Sequence, residues 1–348
     1  MSAMPNSHQA LLRVNQVLAG RIALLGVSAP ELLAQLPQGG LAMSDHVGQA
    51  GLLAGQPGWQ VAFGYDHLAL RAAAFDTVVV FLPKARTELD FRLALARKLI
   101  ATGGRLLVVG EKKEGIAGAV KQLKTVAPGA TKLDSARHCQ IWSAEGVEPL
   151  DTFDVTRWMQ WHTVSRAGVT VDVCGLPGIF SHGELDDGTG LLLDTLAETP
   201  ITADRILDFA CGAGVIGTWL QSWQRQNGRA CSEVDGLDVQ SQAVICAQAT
   251  YERGNAKGNI LASDGLDGVE GTWSAMVTNP PFHSGVKTDT SMTERFLQSV
   301  SRHLRPGGEL RLVANTFLPY SGLIQRCIGP VERLHEDRRF TVYRAFRR

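Results

Sequence analysis

The 348-residue chain has no surplus of charge, no C-x-x-C pair and no long apolar run, and each absence removes a class of protein. Lys and Arg together number 34, as do Asp and Glu, so the overall charge gives little of the long-range attraction by which proteins grip naked nucleic acid. The two halves differ weakly: Lys+Arg minus Asp+Glu is 15 − 11 = +4 over residues 1–150 and 19 − 23 = −4 over the rest. A nucleic-acid target would therefore be bound locally or met within a larger particle. The six cysteines, Cys139, Cys174, Cys211, Cys231, Cys246 and Cys327, stand apart from one another and from any histidine cluster, which argues against a zinc site or a disulfide framework. No stretch approaches the roughly 18 consecutive apolar residues of a membrane span. Arg13 and Arg21 interrupt the apolar residues where a signal peptide would have its core. The expectation is a cytoplasmic protein with no metal and no membrane contact.

What is present is a composition of 45% hydrophobic and 20% charged residues, that of a soluble globular chain, with length enough for two separate cores. In both halves short β-rich apolar runs alternate with helical patterns, the signature of an α/β fold built on a mainly parallel sheet. The halves also echo each other. Residues 75–83 form a strand running into Pro83, followed by helical spacing, Gly103-Gly104 and an apolar strand. Residues 273–281 run into Pro280-Pro281, followed by helical spacing, Gly307-Gly308 and an apolar strand. A third pair of blocks, 137–144 and 338–345, lies at nearly the same offset. Three blocks in one order suggest duplication; the competing reading is that any two α/β domains share Gly-Gly turns and Val-rich strands. The boundary is expected in the polar, Pro-containing stretch 145–156, giving domains 1–150 and 151–348.

In the second half, residues 205–217 read as a buried strand entering a glycine turn that opens a helix. Gly212 and Gly214 would let the backbone pass close to a ligand, because a side chain there would take the ligand's space. Gly212-x-Gly214-x-x-Gly217 also fits a dinucleotide fingerprint, and a bare match of that kind discriminates poorly. Asp208 at the strand end tips the balance. An acid there would repel a pyrophosphate but suits the methionine end and sulfonium of S-adenosyl-L-methionine. A second strand ends at Asp238, positioned to accept hydrogen bonds from both ribose hydroxyls; Asp235 nearby reads as a solvated turn residue. A third ends near Asp264, either an acceptor for the adenine amine or the N-cap of a following helix.

The most informative residues are Asn279-Pro280-Pro281-Phe282, which follow a strand. Two prolines stop the strand and stiffen a loop at its carboxyl end, where open α/β sheets hold their ligands. An exocyclic amine on a base is a poor nucleophile because its lone pair is delocalised into the ring. If the Asn279 side-chain oxygen and the Pro280 carbonyl each accept one amine hydrogen, the nitrogen moves toward tetrahedral geometry and its lone pair is aimed at the methyl group. The remainder is proximity and alignment. Phe282 can stack on a base that has left its helix. The plainer alternative is a Pro-Pro loop that only ends a strand. His283 needs no catalytic role.

With these motifs, and with Leu176-Pro177-Gly178-Ile179-Phe180-Ser181, Leu185-Asp186-x-Gly188-Thr189, Leu318-Pro319-Tyr320 and Asp134-Ser135-Ala136-Arg137, almost the whole chain resembles the bacterial small-subunit ribosomal RNA guanine methyltransferases that modify the 2-amino group of guanine 1207 in 16S rRNA. The resemblance implies two Rossmann-like methyltransferase domains arising from duplication, each a mainly parallel seven-stranded sheet with flanking helices. It further implies a catalytic second domain using S-adenosyl-L-methionine and a degenerate first domain that aids folding and substrate binding. The implied partner is the assembled small ribosomal subunit. The sequence departs from the family's glycine-rich turn at Ala210, where a methyl group is expected to be tolerated at negative φ.

The rivals are other amino-group methyltransferases, acting on adenine in DNA or RNA or on glutamine in a protein release factor. From other classes come an NAD dehydrogenase, which would leave the Asn279 loop without a task, and a cofactor-binding assembly factor without activity.

Overall fold

The computed structural model describes residues 4–36, 39–71, 75–179, 184–280 and 290–348. The chain divides into two compact units, Met1–Trp158 and Met159–Arg348. The first unit contains β1 (Ile22–Leu25), β2 (Gly40–Ser44), β3 (Trp59–Phe63), β4 (Phe75–Phe81), β5 (Ile100–Glu111), β6 (Thr131–Ala136) and β7 (Cys139–Glu145). Its helices are α1 (Asn6–Leu12), α2 (Pro30–Ala34), α3 (Val47–Leu53), α4 (Arg86–Leu99) and α5 (Ile116–Val126). The strands lie in the order β3-β2-β1-β4-β5-β7-β6, parallel from β3 to β5 and antiparallel through β7 and β6. Interior strands of a parallel sheet are covered on both faces, which is why β1 and the Val78-Val79-Val80 run of β4 are apolar throughout and fully buried.

The second unit opens with a hairpin, β8 (Gln160–Arg166) and β9 (Val169–Gly175). Its two-residue turn places Ala167 at φ 48° and Gly168 at φ 76°, both left-handed as a primed turn requires. There follow α6 (Asp187–Glu198), β10 (Arg205–Phe209), α7 (Val215–Gln226), β11 (Glu233–Asp238), α8 (Ser241–Gly254), β12 (Ile260–Ala262) and β13 (Trp273–Thr278). The unit ends with α9 (Thr290–His303), β14 (Leu304–Asn315), α10 (Tyr320–Cys327), β15 (Val331–Glu336) and β16 (Phe340–Phe346). The hairpin is tied to α7 and α8: the Trp219 indole donates to the Arg166 carbonyl (3.0 Å) and the Cys174 amide to the Thr250 hydroxyl (2.9 Å). The sheet order is β12-β11-β10-β13-β14-β16-β15, strand for strand that of the first unit.

A shared irregularity distinguishes duplication from generic similarity. Between Phe75 and Thr77 the β4–β5 pairing jumps from Ile100 to Arg105, and between Trp273 and Ala275 the β13–β14 pairing jumps from Leu304 to Glu309. Each jump holds a Gly-Gly pair. A Cβ on Gly104 would lie 2.8 Å from Ile100 Cγ1 and 2.9 Å from the Ala101 carbonyl oxygen, and one on Gly308 2.8 Å from the Arg305 carbonyl oxygen and 2.9 Å from that of Ser274. The same bulge, in the same register, with the same steric demand for glycine, occurs in both units.

In the second unit the apolar faces of β10, β13 and β14 pack against α9 and α10 through Leu207, Met276, Leu310, Phe296, Leu297 and Ile324. The carboxyl ends of β10, β11 and β13 meet where the strand order reverses, the place at which open α/β sheets leave a crevice. Among the described residues no helix is long and apolar enough to cross a membrane.

Candidate functional site

Beyond β10 the backbone turns sharply before α7. Ala210 has φ 58°, so the condition under which its methyl group would be tolerated, a negative φ, is not met: it occupies the left-handed region in which a Cβ crowds the following carbonyl, at a cost of about 1–2 kcal/mol. The turn needs that conformation whichever residue occupies it. Gly212, at φ 53°, has nothing within 4 Å of where a Cβ would stand, and it lines the cavity described below. Gly214, at φ 77°, serves a different purpose, since its Cβ position is 3.1 Å from Ala247 on α8. Gly217 likewise clears the Tyr251 hydroxyl, which would be 1.8 Å from an added Cβ. The fingerprint glycines thus divide into one that opens toward the cavity and two that let α7 approach α8.

The four acids of this edge occupy distinct environments. Asp238 ends β11 and accepts the Gly212 amide (2.9 Å) with one carboxylate oxygen and the Gln240 amide (3.0 Å) with the other. It pins the glycine turn to the start of α8 while lining the cavity. Asp235 is not a solvated turn residue. It is 1% exposed, its carboxylate taking up the Arg205 guanidinium (2.9 Å), the Trp273 indole (2.8 Å) and the Asn259 amide (2.9 Å). Asp264 is exposed, on the cavity rim. No helix follows it before β13, so the N-cap alternative does not apply.

Asp208 is fully buried within β10, one residue before the strand's end, and does not line the cavity. Successive strand residues face opposite ways: Phe209 faces α9, in ring contact with Phe296 at 4.6 Å, and Asp208 faces the other side of the sheet. Among the described residues neither of its carboxylate oxygens has a well-formed hydrogen bond. Burial pushes its carboxyl well above the usual range, the Asp238 charge adds to this, and the Gly217 backbone N–H offsets part of it. Since the folded state then holds a proton that the unfolded chain releases above about pH 4, stability drains away as pH rises from there toward the folded-state value. Asp208→Asn, isosteric with the protonated acid, is accordingly expected to raise the thermal midpoint at about pH 8 and to lose that advantage toward about pH 4. Scanning calorimetry across this range checks it; a difference independent of pH would contradict it.

At the end of β13 the Thr278 hydroxyl donates to the Phe209 carbonyl (2.8 Å), locking the two central strand ends together. Asn279 comes next. Its amide nitrogen donates to the Asp186 carboxylate (2.9 Å) and to the Thr189 hydroxyl (3.0 Å). Asp186 is also the N-cap of α6, accepting the Thr189 amide at 3.1 Å. An ionised carboxylate can only accept, so it selects the amide orientation in which nitrogen faces α6 and the Asn279 side-chain oxygen, which has no hydrogen-bond donor among the described residues, is the remaining acceptor. In the sequence Asp186 and Thr189 stand out only through the family resemblance. Their task has no signature in spacing, because it depends on a contact across 93 residues.

Asn279 and Pro280 close one side of a cavity of about 880 Å³. The Ala210–Gly212 turn, Asp238, Ile179, Leu266 and the α9 residues Met292, Arg295 and Phe296 contribute the rest of the lining. The Gln240 side chain holds the Ile179 segment by donating to the Gly178 carbonyl (3.2 Å). Of the expected site residues, Gly212, Asp238, Asp264, Asn279 and Pro280 meet here, while Asp208 and Gly214 stand behind the wall. Pro281, Phe282 and His283 lie outside the described residues.

Comparisons with known proteins bear on both units. Residues 170–344 match the methyltransferase small domain family, and residues 8–162 its N-terminal companion, the methyltransferase small domain N-terminal family. The ribosomal RNA small subunit methyltransferase C of Hahella chejuensis is 39% identical over 355 aligned positions covering 100% of both chains. That of Pseudomonas aeruginosa strain LESB58 is 42% identical across 97% of this chain and 98% of its own. A solved T. thermophilus 16S rRNA N2 G1207 methyltransferase, in complex with AdoMet and guanosine, shares the fold with a TM-score of 0.84 at 24% identity, over 99% of this chain and 93% of that one. With two domain families matched in order and full-length relatives near 40% identity, the chain belongs to the ribosomal RNA small subunit methyltransferase C family.

Proposed function

We propose that this chain transfers a methyl group from S-adenosyl-L-methionine to the exocyclic 2-amino group of guanine 1207 in the 16S rRNA of the small ribosomal subunit, the position named for the T. thermophilus protein. The observation that carries the reading is the oriented amide of Asn279, whose nitrogen is occupied by Asp186 and Thr189 and whose oxygen remains to receive an amine hydrogen beside the cavity.

The cavity suits the cofactor in size, being within the range of small-molecule sites, and in chemistry. Asp238 offers acceptor oxygens to ribose hydroxyls, Gly212 presents bare backbone, and Asp264 stands on the rim for the adenine amine. The cofactor supplies an electrophilic methyl group on a positively charged sulfur. The Asn279 oxygen and the Pro280 carbonyl draw the amine hydrogens and direct the nitrogen lone pair, and the sequence motif assigns Phe282 to stacking on the base. Ile179, Phe209, Leu237 and Leu266 keep water away. The amine proton is lost after transfer, so no strong general base is required.

We infer further that the first unit holds no cofactor. Leu25 pairs with Met43 and Val80 as Phe209 pairs with Leu237 and Thr278. Gly26, Ser44 and Phe81 therefore stand where the second unit has Ala210, Asp238 and Asn279. Phe81 is stacked under His8, ring centroids 4.2 Å apart. The space beside the turn is taken by Arg92, whose Nη1 would be 2.0 Å from a Cβ on Gly26. Arg92 donates to the Phe81 carbonyl (2.8 Å), the Tyr65 hydroxyl (3.0 Å) and Glu88 (2.6 Å), with Asp45 at 3.5 Å. Titrating the full chain with S-adenosyl-L-methionine should give one site per chain; two would restore cofactor binding to the first unit.

Methyl incorporation into small subunits purified from a strain lacking the enzyme, beside naked 16S rRNA and DNA, tests the substrate. Incorporation at the guanine amine of the particle is expected, with naked RNA a poor substrate because the near-neutral chain has little long-range attraction for it. Efficient modification of DNA, of adenine or of a release factor would transfer the assignment to one of those amines.

A further inference from the structure

We propose that the loop carrying Phe317 and the turn carrying Arg338 and Arg339 form a docking rim for single-stranded RNA beside the target base, an inference that rests on the rRNA reading above. Phe317 would stack on a neighbouring base, and the two guanidinium groups would take the flanking phosphates.

Both segments lie at the end of the sheet that carries the site. Thr278 is level with Leu312 in the sheet, so Asn279 is level with Val313, and β14 runs two residues, about 7 Å, past that level before the loop bearing Phe317. β16 is antiparallel to β14, with Phe340 opposite Asn315, so the turn at Arg338 and Arg339 lies at the same end. The Thr316 amide donates to the Arg339 carbonyl (3.0 Å) and the Thr316 hydroxyl to the Asp337 carbonyl (3.0 Å), making loop and turn one structure. That structure is coupled to the target-amine site through adjacent residues, since Asp186 receives the Asn279 amide while Asp187 receives Arg339 (2.7 Å).

The side chains there suit a nucleotide strand. Phe317 is 75% exposed, more than any other large apolar side chain among the described residues, and an aromatic face beside cations can stack a base while the charges hold its backbone. Arg338 is exposed and has no ion-pair partner among the described residues. The Arg339–Asp187 pair is 68% exposed on each side, loose enough to yield to a phosphate. Of the other arginines of this segment, Arg344 is held by Glu332 (2.6 Å), and Arg347 donates to the Leu304 carbonyl at the opposite end of the sheet.

The test uses the full chain. With small subunits from a strain lacking the enzyme, Phe317→Ala is expected to lower kcat/KM by about 5- to 150-fold, through KM, with S-adenosyl-L-methionine affinity unchanged and Phe317→Trp restoring activity. With a short labelled single-stranded RNA, Phe317→Ala weakens binding and Arg338→Ala lowers the slope of log affinity against log salt by about 0.7. Unchanged kinetics and RNA binding in both variants would overturn the rim. So would a loss of cofactor affinity equal to the loss of activity, which would mark Phe317 as structural. Weakened particle binding with an unchanged RNA titration would assign the surface to a ribosomal protein instead. A parent enzyme inactive on small subunits would overturn the rRNA reading by itself, and the oligonucleotide titration would still decide the rim.

Discussion

Asn279→Ala is expected to lower turnover by at least about 10²–10³-fold, the usual result of removing one preorganised polar group from a reacting centre, while S-adenosyl-L-methionine affinity stays near the parent value. The side chain is assigned to the target amine, so binding and chemistry should separate. Single-turnover methyl transfer beside calorimetric titration measures both, and turnover within a few-fold of the parent would sink the mechanism. Asp186→Ala is the informative companion. It leaves the Asn279 oxygen in place but removes one of the amide nitrogen's two acceptors, Thr189 remaining, so it should cost less than Asn279→Ala, and the two together should cost less than their sum because they act as a unit.

Asp238→Ala is expected to weaken cofactor binding by at least about 1.5–3 kcal/mol, the range for losing hydrogen bonds to a charged acceptor. The same carboxylate also holds the Gly212 and Gln240 amides, so its loss loosens the turn as well as removing a ligand contact. Calorimetry on folded protein decides the matter. Unchanged affinity would move the ribose contact elsewhere, and Asp235 could not receive it, being buried and engaged by Arg205, Asn259 and Trp273.

Much of the fold is legible in the amino-acid sequence, because parallel sheets leave strong marks. Apolar runs at Val78-Val79-Val80 of β4 and Ala275-Met276-Val277 of β13, and Gly-Gly pairs at the same offset, arise from burial on both faces and from a bulge that excludes a Cβ. The β8–β9 hairpin leaves a fainter trace. Its turn is Ala167-Gly168, not the Asn-Gly or Asp-Gly that announces a primed turn. At the site, Asn279, Asp238 and Gly212 are legible because each sits at a strand end beside a backbone break. At Ala210 the residue type leaves the sign of φ open, and only the structure shows the left-handed turn whose strain alanine bears. Asp235 misleads because neighbouring acids on one strand face different surroundings, and only packing shows which is enclosed. Asp186 cannot be assigned a task from spacing, since its partner is distant in sequence.

The cluster around Arg92 makes the first unit hard to alter one residue at a time. Substituting Arg92 to reopen the space beside Gly26 would strand Glu88 inside the protein, where Arg92 and Glu88 side chains are only 4% and 5% exposed, and breaking such a buried pair costs about 3–5 kcal/mol. Removing Glu88 first leaves the buried Arg92 with Asp45 at 3.5 Å as its remaining acid among the described residues, beside the neutral acceptors Phe81 and Tyr65. Opening a ligand site beside Gly26 by one substitution therefore uses a large part of a domain's margin of about 5–15 kcal/mol before an acceptor replaces Ser44 or a polar residue replaces Phe81. The buried cluster acts as a latch: no one of its members can be exchanged for a ligand-binding group without first unbalancing the others.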